Sequence, residues 1–410
     1  MTKAETPIAT EAKEPGHANQ TFLVGEEIYL RRIEKGDATS TVSWRPTLFP
    51  LAPERTEAWI TEDLPKGQTA WYAIVRKTDD RVVGSLWTEQ WDPATYLHGY
   101  VDPFHSEQGG RWKAEAFRLV LPWMVDEQHR VSLHVSVGGD EEPVIAALRE
   151  AGAREVSRTP RLLYRDGRRI DLVRFEYLNR QWIATLGDPA AVDLTRTGTG
   201  QPRPIPAAVT VTGDPPKNAL AVGERIYLAP IEKEDAEEMA RLSRMETETF
   251  YGHARTINST LNHIERRLTD QKEKVPENIG FAVRLGENDA FIGEVAVLGI
   301  DYASRYAETA SWIFDPEYRG GGFGTEAKHL LLEYAFDTLG LLAVESFVVD
   351  ENTRSAAALR KQGYRETGHL HWTGAADGRY RGDVTFCLFA DEWRALPRST
   401  SSGSPKEDRA

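Results

Sequence analysis

Cysteine is almost missing from this 410-residue chain, where Cys387 stands alone. A lone thiol excludes an internal disulfide and a multi-cysteine zinc site, and it fits a reducing compartment. In the strand-like run VTFCLF it reads as a small buried hydrophobe. Long apolar runs are missing as well: none approaches ~18 residues, and the start MTKAETPIATEAKEPGHANQ has no apolar core such as a signal peptide needs. The expectation is a soluble, cytoplasmic protein with no membrane partner. Positive charge is in deficit, with 50 Lys and Arg against 63 Asp and Glu and a net charge of −13. That argues against a nucleic-acid partner and requires any anionic ligand to be held locally. The ten histidines show no paired ligand spacing, so no metal is expected.

What is present is a repeat. GEEIYLRRIEKGDA from Gly25 matches GERIYLAPIEKEDA from Gly223, and DGRRIDLVRFEYLNRQW from Asp166 matches DGRYRGDVTFCLFADEW from Asp377, with Gly152 and Gly363 in step between them. The unit is a whole domain. The expected division is a disordered tail over 1–20, a first domain over 21–186, a linker rich in Pro, Gly and Thr over 187–219, a second domain over 220–397 and a disordered tail over 398–410. In each copy strands come first, then a loop and helix, a buried strand, a short helix ending at glycine, and a last strand pair. This predicts an α/β fold (α+β in its segregation) with a mixed, mainly antiparallel sheet flanked by helices.

The stretch DPEYRGGGFGTEAKHLL, Asp315 to Leu331, puts four glycines in five residues directly before a helix. A loop that opens a helix presents unpaired N–H groups at the positive end of the dipole, and glycine removes the Cβ that would hold phosphate oxygens away. Three ligands compete for it. A Walker site needs Gly-Lys-Ser/Thr, and Gly324-Thr325-Glu326 does not supply it. A dinucleotide site fits Gly322-x-Gly324-x-x-Ala327 with Asp350 after the next strand, but DPEYR separates the glycines from their strand. The third is the ligand that a family resemblance implies.

Arg319-x-x-Gly322-x-Gly324, taken with ENTRSAAALRKQGY, resembles the GNAT superfamily of acyl-CoA-dependent N-acyltransferases. Its signature is Arg/Gln-x-x-Gly-x-Gly/Ala. The likeness is to the branch that acetylates the N-termini of ribosomal proteins and its small-molecule relatives, where Asn-x-x-Ser precedes Lys-x-Gly-aromatic; here these are Asn352, Ser355, Lys361, Gly363 and Tyr364. It covers Gly223 to Trp393. The resemblance implies that Arg319, Gly320, Gly321, Gly322, Phe323, Gly324, Thr325 and Asn352 hold acyl-CoA as co-substrate, and that a backbone N–H near Ile313 and Phe314 polarises the thioester. It implies Glu308 as the base for the amine. Many members of the family protonate the thiolate with a tyrosine at the place that here holds Arg360, and the branch resembled implies Ser355 in that role instead. Tyr251, His253 and Arg255 fall on the acceptor side. The acceptor would be an amine of a small molecule or peptide, and the acyl group acetyl or a larger one such as succinyl.

The first copy keeps the outline and loses the loop. Aligned on the shared Glu-Ala, Gln108 stands opposite Arg319, and Arg111 and Lys113 stand opposite Gly322 and Gly324. Aligned on Asp-Pro instead, Ser106 faces Arg319 and Arg111 faces Gly324. Glu141 replaces Asn352 and Val144 replaces Ser355. The expectation is a degenerate first domain packed with the second as a pseudo-dimer. A coenzyme A-binding module without catalysis is the rival from another class.

Overall fold

A computed structural model describes residues 21–48, 51–67, 69–91, 93–192, 194, 202–207, 209, 211, 213–245, 261, 275–376 and 378–399. The chain forms two compact units. The first takes in residues up to Gln90, then Thr95–Leu133 and Glu141–Ala153; the second takes in Trp91–Ala94, His134–Asp140 and Arg154 onward. Among the described residues no helix is long and apolar enough to cross a membrane.

In the first unit, β1 (Thr21–Val24), β2 (Ile28–Arg32), β3 (Ala70–Arg76), β4 (Arg81–Trp91) and β5 (Ala94–Val101) lie in chain order in one sheet. The short helices α1 (Thr41–Trp44) and α2 (Pro53–Ala58) follow β2. Trp44, fully buried, packs here with Tyr29, Ala73 and Val75 of β2 and β3. The helix α3 (Ser106–Pro122) buries Trp112, Phe117, Val120 and Leu121, spaced for a single helical face. Next, α4 (Glu142–Ala151) starts with Pro143 in its first turn and stops at Gly152, whose φ of 94° only glycine adopts without strain.

The second unit holds β6 (Ser132–Gly138), the hairpin β7 (Arg154–Arg165) with β8 (Arg168–Leu178), and all the strands from Ala221 onward. These are β9 (Ala221–Val222), β10 (Ile226–Pro230), β11 (Ile279–Leu285), β12 (Phe291–Asp301), β13 (Tyr306–Ile313), β14 (Ala343–Val349), β15 (Arg365–Ala376) and β16 (Arg379–Phe389). Their order is β6-β8-β7-β15-β16-β14-β13-β12-β11-β10-β9. The pairings of β10 through β13 are antiparallel and β13 with β14 is parallel, the mixed sheet that the strand and helix order predicts. The helices are α5 (Arg180–Leu186), α6 (Asp235–Met245), α7 (Phe323–Glu333), α8 (Thr353–Lys361) and α9 (Ala390–Arg394). Ala327, Leu331 and Leu332 of α7 are fully buried against β10–β14 residues such as Leu228, Val283, Val297 and Val344.

By sequence the β7–β8 hairpin closes the first repeat, yet it packs in the second unit. Ser157 of β7 pairs with Gly368 of β15, and Arg174 of β8 makes two bonds of 3.1 and 2.5 Å to the buried carboxylate of Glu345 on β14. Part of the linker is also built in. Ile205, 3 % exposed, sits in the second unit's core and exchanges backbone bonds with Pro397 and Ser399, while Arg203 N–H donates to Lys361.

Candidate active site

Strands β13 and β14 pair only over Tyr306–Glu308 with Ala343–Glu345, although β13 runs on to Ile313 and β14 to Val349. Beyond Glu308 the two strands part, and a gap opens between them. Side chains stitch the closed end: Thr309 Oγ1 donates to the Glu345 carbonyl at 3.1 Å, and Ser346 Oγ donates to the Thr309 carbonyl at 3.0 Å. At the far end of β13 the N–H groups of Phe314 and Asp315 both donate to the Ile292 carbonyl, at 2.9 and 3.3 Å, as they do where a strand carries one extra residue. Phe314 is therefore committed to β12. Successive N–H groups alternate sides along a strand, so those of Ile313 and Ser311 face the side from which β14 has departed.

Past β13, Asp315 accepts from Glu317 N–H and starts a short turn. Arg319 then folds back, and its Nε and Nη2 donate to the carbonyls of Ile313 and Phe314 at 2.9 and 3.0 Å. The guanidinium ties the loop to the strand end. Gly320 and Gly322 have φ of 78° and 89°, and Gly322 caps α7. A Cβ on Gly324 would lie 3.3 Å from Ile313. The first helical bond runs from Glu326 N–H to the Gly322 carbonyl. Among the described residues, the six N–H groups from Gly320 to Thr325 donate to no side chain, and only the loop's own turn over residues 319–322 engages any of them. They stand before and within the first turn of α7, at the open end of the gap.

At the closed end stands Glu308, half-buried, its carboxyl pushed up to about 7 by burial and restrained by the cation of Lys328. Glu345 and Asp383 push it in the same direction as burial. Lys328, in the second turn of α7, is 1 % exposed, and burial brings its ammonium down to about 7. Its Nζ lies 5.7 Å from the centre of the Tyr364 ring, whose hydroxyl is 2.8 Å from Thr309 Oγ1. Two groups that titrate near neutrality thus face one buried polar cluster, the arrangement general acid and base chemistry needs. On α8, the Asn352 side chain accepts from Ser355 N–H at 3.1 Å.

With this geometry in hand, the comparisons with known proteins are direct. A model of the "Acetyltransferase (GNAT) domain" family matches residues 225–365. The second half carries a GNAT acetyltransferase domain. The "Probable N-acetyltransferase YjcK" of Bacillus subtilis (strain 168) is 29 % identical over 36 % of this chain and 83 % of its own length. The spermidine N(1)-acetyltransferase of Escherichia coli (strain K12) is 27 % identical over 42 % of this chain and 89 % of its own. Among solved structures, the spermidine N-acetyltransferase of Vibrio cholerae in complex with CoA and spermine is 22 % identical over 41 % of this chain and 98 % of that one, with a TM-score of 0.37. The chain is an N-acyltransferase with acyl-CoA as donor.

The elements of the GNAT domain bring most of the expected residues to one gap. Ile313 and Phe314 end β13, Arg319 to Thr325 form the glycine loop, Glu308 lies where the strands part, and Asn352 and Ser355 open the helix after β14. Tyr251, His253 and Arg255 lie outside the described residues. Three residues beside the gap escaped the sequence reading, Lys328, Arg225 and Thr309, the last of which meets the motif residue Tyr364. Their signal was a polar residue in an otherwise apolar helical face, and an arginine where the first repeat has Glu27.

The first unit differs at the corresponding loop. Glu115 accepts from Glu26 and Glu27 N–H as Glu326 accepts from Arg225 N–H, which fixes the Glu-Ala alignment at the helix. Asp102 and Asp315 make the same turn, accepting from Phe104 and Glu317 N–H, which fixes the Asp-Pro alignment at the strand. Both alignments hold, each at its own end. The two extra residues between them go into helix, so α3 starts at Ser106, nine residues before Glu115, whereas α7 starts at Phe323, three before Glu326. Asp102 alone donates to Val83, without the extra strand residue. Lys113, in the place of Gly324, makes a 2.6 Å ion pair with Glu141, in the place of Asn352.

Proposed function

We propose that this chain is a tandem GNAT protein of the kind whose relatives include ribosomal-protein acetyltransferases, with a working second domain and a degenerate first, and that it transfers an acetyl group from acetyl-CoA to an amine. The observation that carries this is the glycine loop from Gly320 to Thr325, whose N–H groups open helix α7 at the mouth of a gap that closes on Glu308. The cradle suits a pyrophosphate, each charge-assisted bond contributing ~1.5–3 kcal/mol. Backbone N–H groups of Ser311 or Ile313 on the open edge of β13 would polarise the thioester carbonyl. Glu308, as carboxylate, takes the proton of the incoming ammonium, so that neutral nitrogen attacks and the C–S bond breaks. The hydroxyl of Ser355 serves the leaving thiolate, whose ordinary pKa of ~8.5 requires little assistance.

For the acceptor, the charge of Asp383 helps to raise Glu308, and Asp383 is itself raised first by burial and then by the charge of Asp350. A relative acts on spermidine by its name. An amine that carries further positive charge is therefore the class to test first. The experiment is release of free thiol from acetyl-CoA, and separately from succinyl-CoA, over a panel of polyamines, amino-acid amides and peptides. Binding of coenzyme A with no thiol release on any amine would favour the non-catalytic module.

A further inference from the structure

Arg225 sits at the start of β10, far in sequence from the glycine loop, yet every face of its side chain is used on that loop. Its Nε donates to Glu326 Oε2 at 3.0 Å and its Nη2 lies 2.9 Å from the same oxygen, while its own N–H donates to Glu326 Oε1 at 2.9 Å. Nη1 donates to the Gly321 carbonyl at 2.9 Å. The guanidinium plane lies 4.1 Å above the Phe323 ring, whose other neighbour is the Tyr318 ring, edge-on at 5.3 Å. Nη2 is also 3.3 Å from where a Cβ on Gly322 would stand. One cation therefore holds the carbonyl of Gly321, the first side chain of α7 and the carboxylate one turn into it.

The bond to the Gly321 carbonyl fixes which way the Gly321–Gly322 peptide plane turns, and the contacts to Phe323 and Glu326 hold the helix start beside it. A peptide whose carbonyl is drawn back to Arg225 has its N–H turned the other way, toward the open side where an anion would be met. The first unit supplies the contrast. Glu27 takes the place of Arg225, Trp112 takes the place of Phe323, and Glu27 Oε2 accepts from the Trp112 indole at 2.9 Å. Where the cradle has become helix, the cation behind it has become an anion.

We propose that Arg225 is a positioning residue for the acyl donor: it orients the loop N–H groups of Gly320 to Thr325 without itself taking part in acyl transfer. This rests on the reading of that loop as the coenzyme cradle. The test compares Arg225→Met, Arg225→Lys and Gly322→Arg in the full chain, with calorimetric titration of coenzyme A, the KM of acetyl-CoA and of the acceptor, and the thermal midpoint. Arg225→Met is expected to raise the coenzyme Kd and the acetyl-CoA KM about tenfold or more, with kcat and the acceptor KM within about twofold. Arg225→Lys keeps charge but not the fork, and is expected to stay nearer to Met than to wild type. Should Arg225→Met not fold, the lysine variant alone decides. Equal losses in both KM values and kcat, in step with a fallen midpoint, would reduce Arg225 to a structural role. An unchanged Kd in a folded Arg225→Met overturns the inference while the cradle survives, provided Gly322→Arg abolishes binding. If Gly322→Arg binds normally, the cradle reading itself fails.

Discussion

Thr309 Oγ1 stands 2.8 Å from the hydroxyl of Tyr364, and this one contact ties the last paired stretch of β13 to the residue that follows α8 and its glycine. Both side chains are buried, at 0 and 1 % exposure. Replacing Tyr364 by Phe leaves Thr309 its bond to the Glu345 carbonyl. The expected loss is therefore one buried hydrogen bond, ~1 kcal/mol. Urea unfolding of Tyr364→Phe, Thr309→Val and the double variant should show the double losing less than the two singles added together.

Arg174 and Glu345 form a buried pair in which each charge depends on the other. Arg174→Met should cost ~3–5 kcal/mol, because it leaves a carboxylate 2 % exposed without its cation. Adding Glu345→Gln should restore most of that loss. If the double variant is no more stable than Arg174→Met, Thr159, which donates to the same carboxylate at 3.0 Å, carries more of the compensation.

Glu308 and Lys328 make stability and activity run in opposite directions with pH. Glu308 holds its proton up to about 7 in the fold against an ordinary 4.5, so the stability it contributes is present below 4.5 and lost as pH rises toward 7. Lys328 is brought to about 7 from 10.5, so its contribution is present above 10.5 and lost as pH falls toward 7. The pair is least comfortable near neutrality, where Glu308→Gln should raise the thermal midpoint while lowering turnover. Lys328→Met removes the opposing cation, so the acidic limb of kcat/KM should move to higher pH by up to about one unit. A limb that stays in place would mean that Lys328 does not act on the base.

Gly320 and Gly322 separate backbone strain from ligand exclusion. A Cβ on Gly320 would meet nothing within 4 Å, so Gly320→Ala should cost only the left-handed backbone, ~1–2 kcal/mol, and retain coenzyme binding. Gly322→Arg, which copies Arg111 of the first repeat, fills the phosphate position and should abolish binding in a protein that still unfolds cooperatively. Calorimetric titration of both variants with coenzyme A is the measurement.

The strand order, the mixed pairing, the glycine turn before α7 and the cap at Asn352 were legible because each follows from local periodicity, glycine placement or a short motif. Lys328 was not, since a lysine in TEAKHLL reads as a solvated helix charge until tertiary packing buries it. Arg225 and Glu326 are joined only by folding. The extra strand residue at Phe314 shows only in the backbone bonds that Phe314 and Asp315 share on the Ile292 carbonyl, which no sequence pattern marks. The hairpin β7–β8 was assigned to the first domain because the repeat ends there, and repeats record ancestry while packing records contact. Ile205 lay in a stretch whose Pro, Gly and Thr content hid one apolar anchor.

The ion pair of Lys113 with Glu141 joins the two helices of the first repeat at the places where the second repeat has Gly324 and Asn352. Glycine at Lys113 alone would take the cation from a carboxylate that is only 14 % exposed, and the extra turns of α3 would still occupy backbone N–H groups in helix. Making the first loop like the second therefore takes several changes at once, and a single glycine there costs stability without opening the helix start.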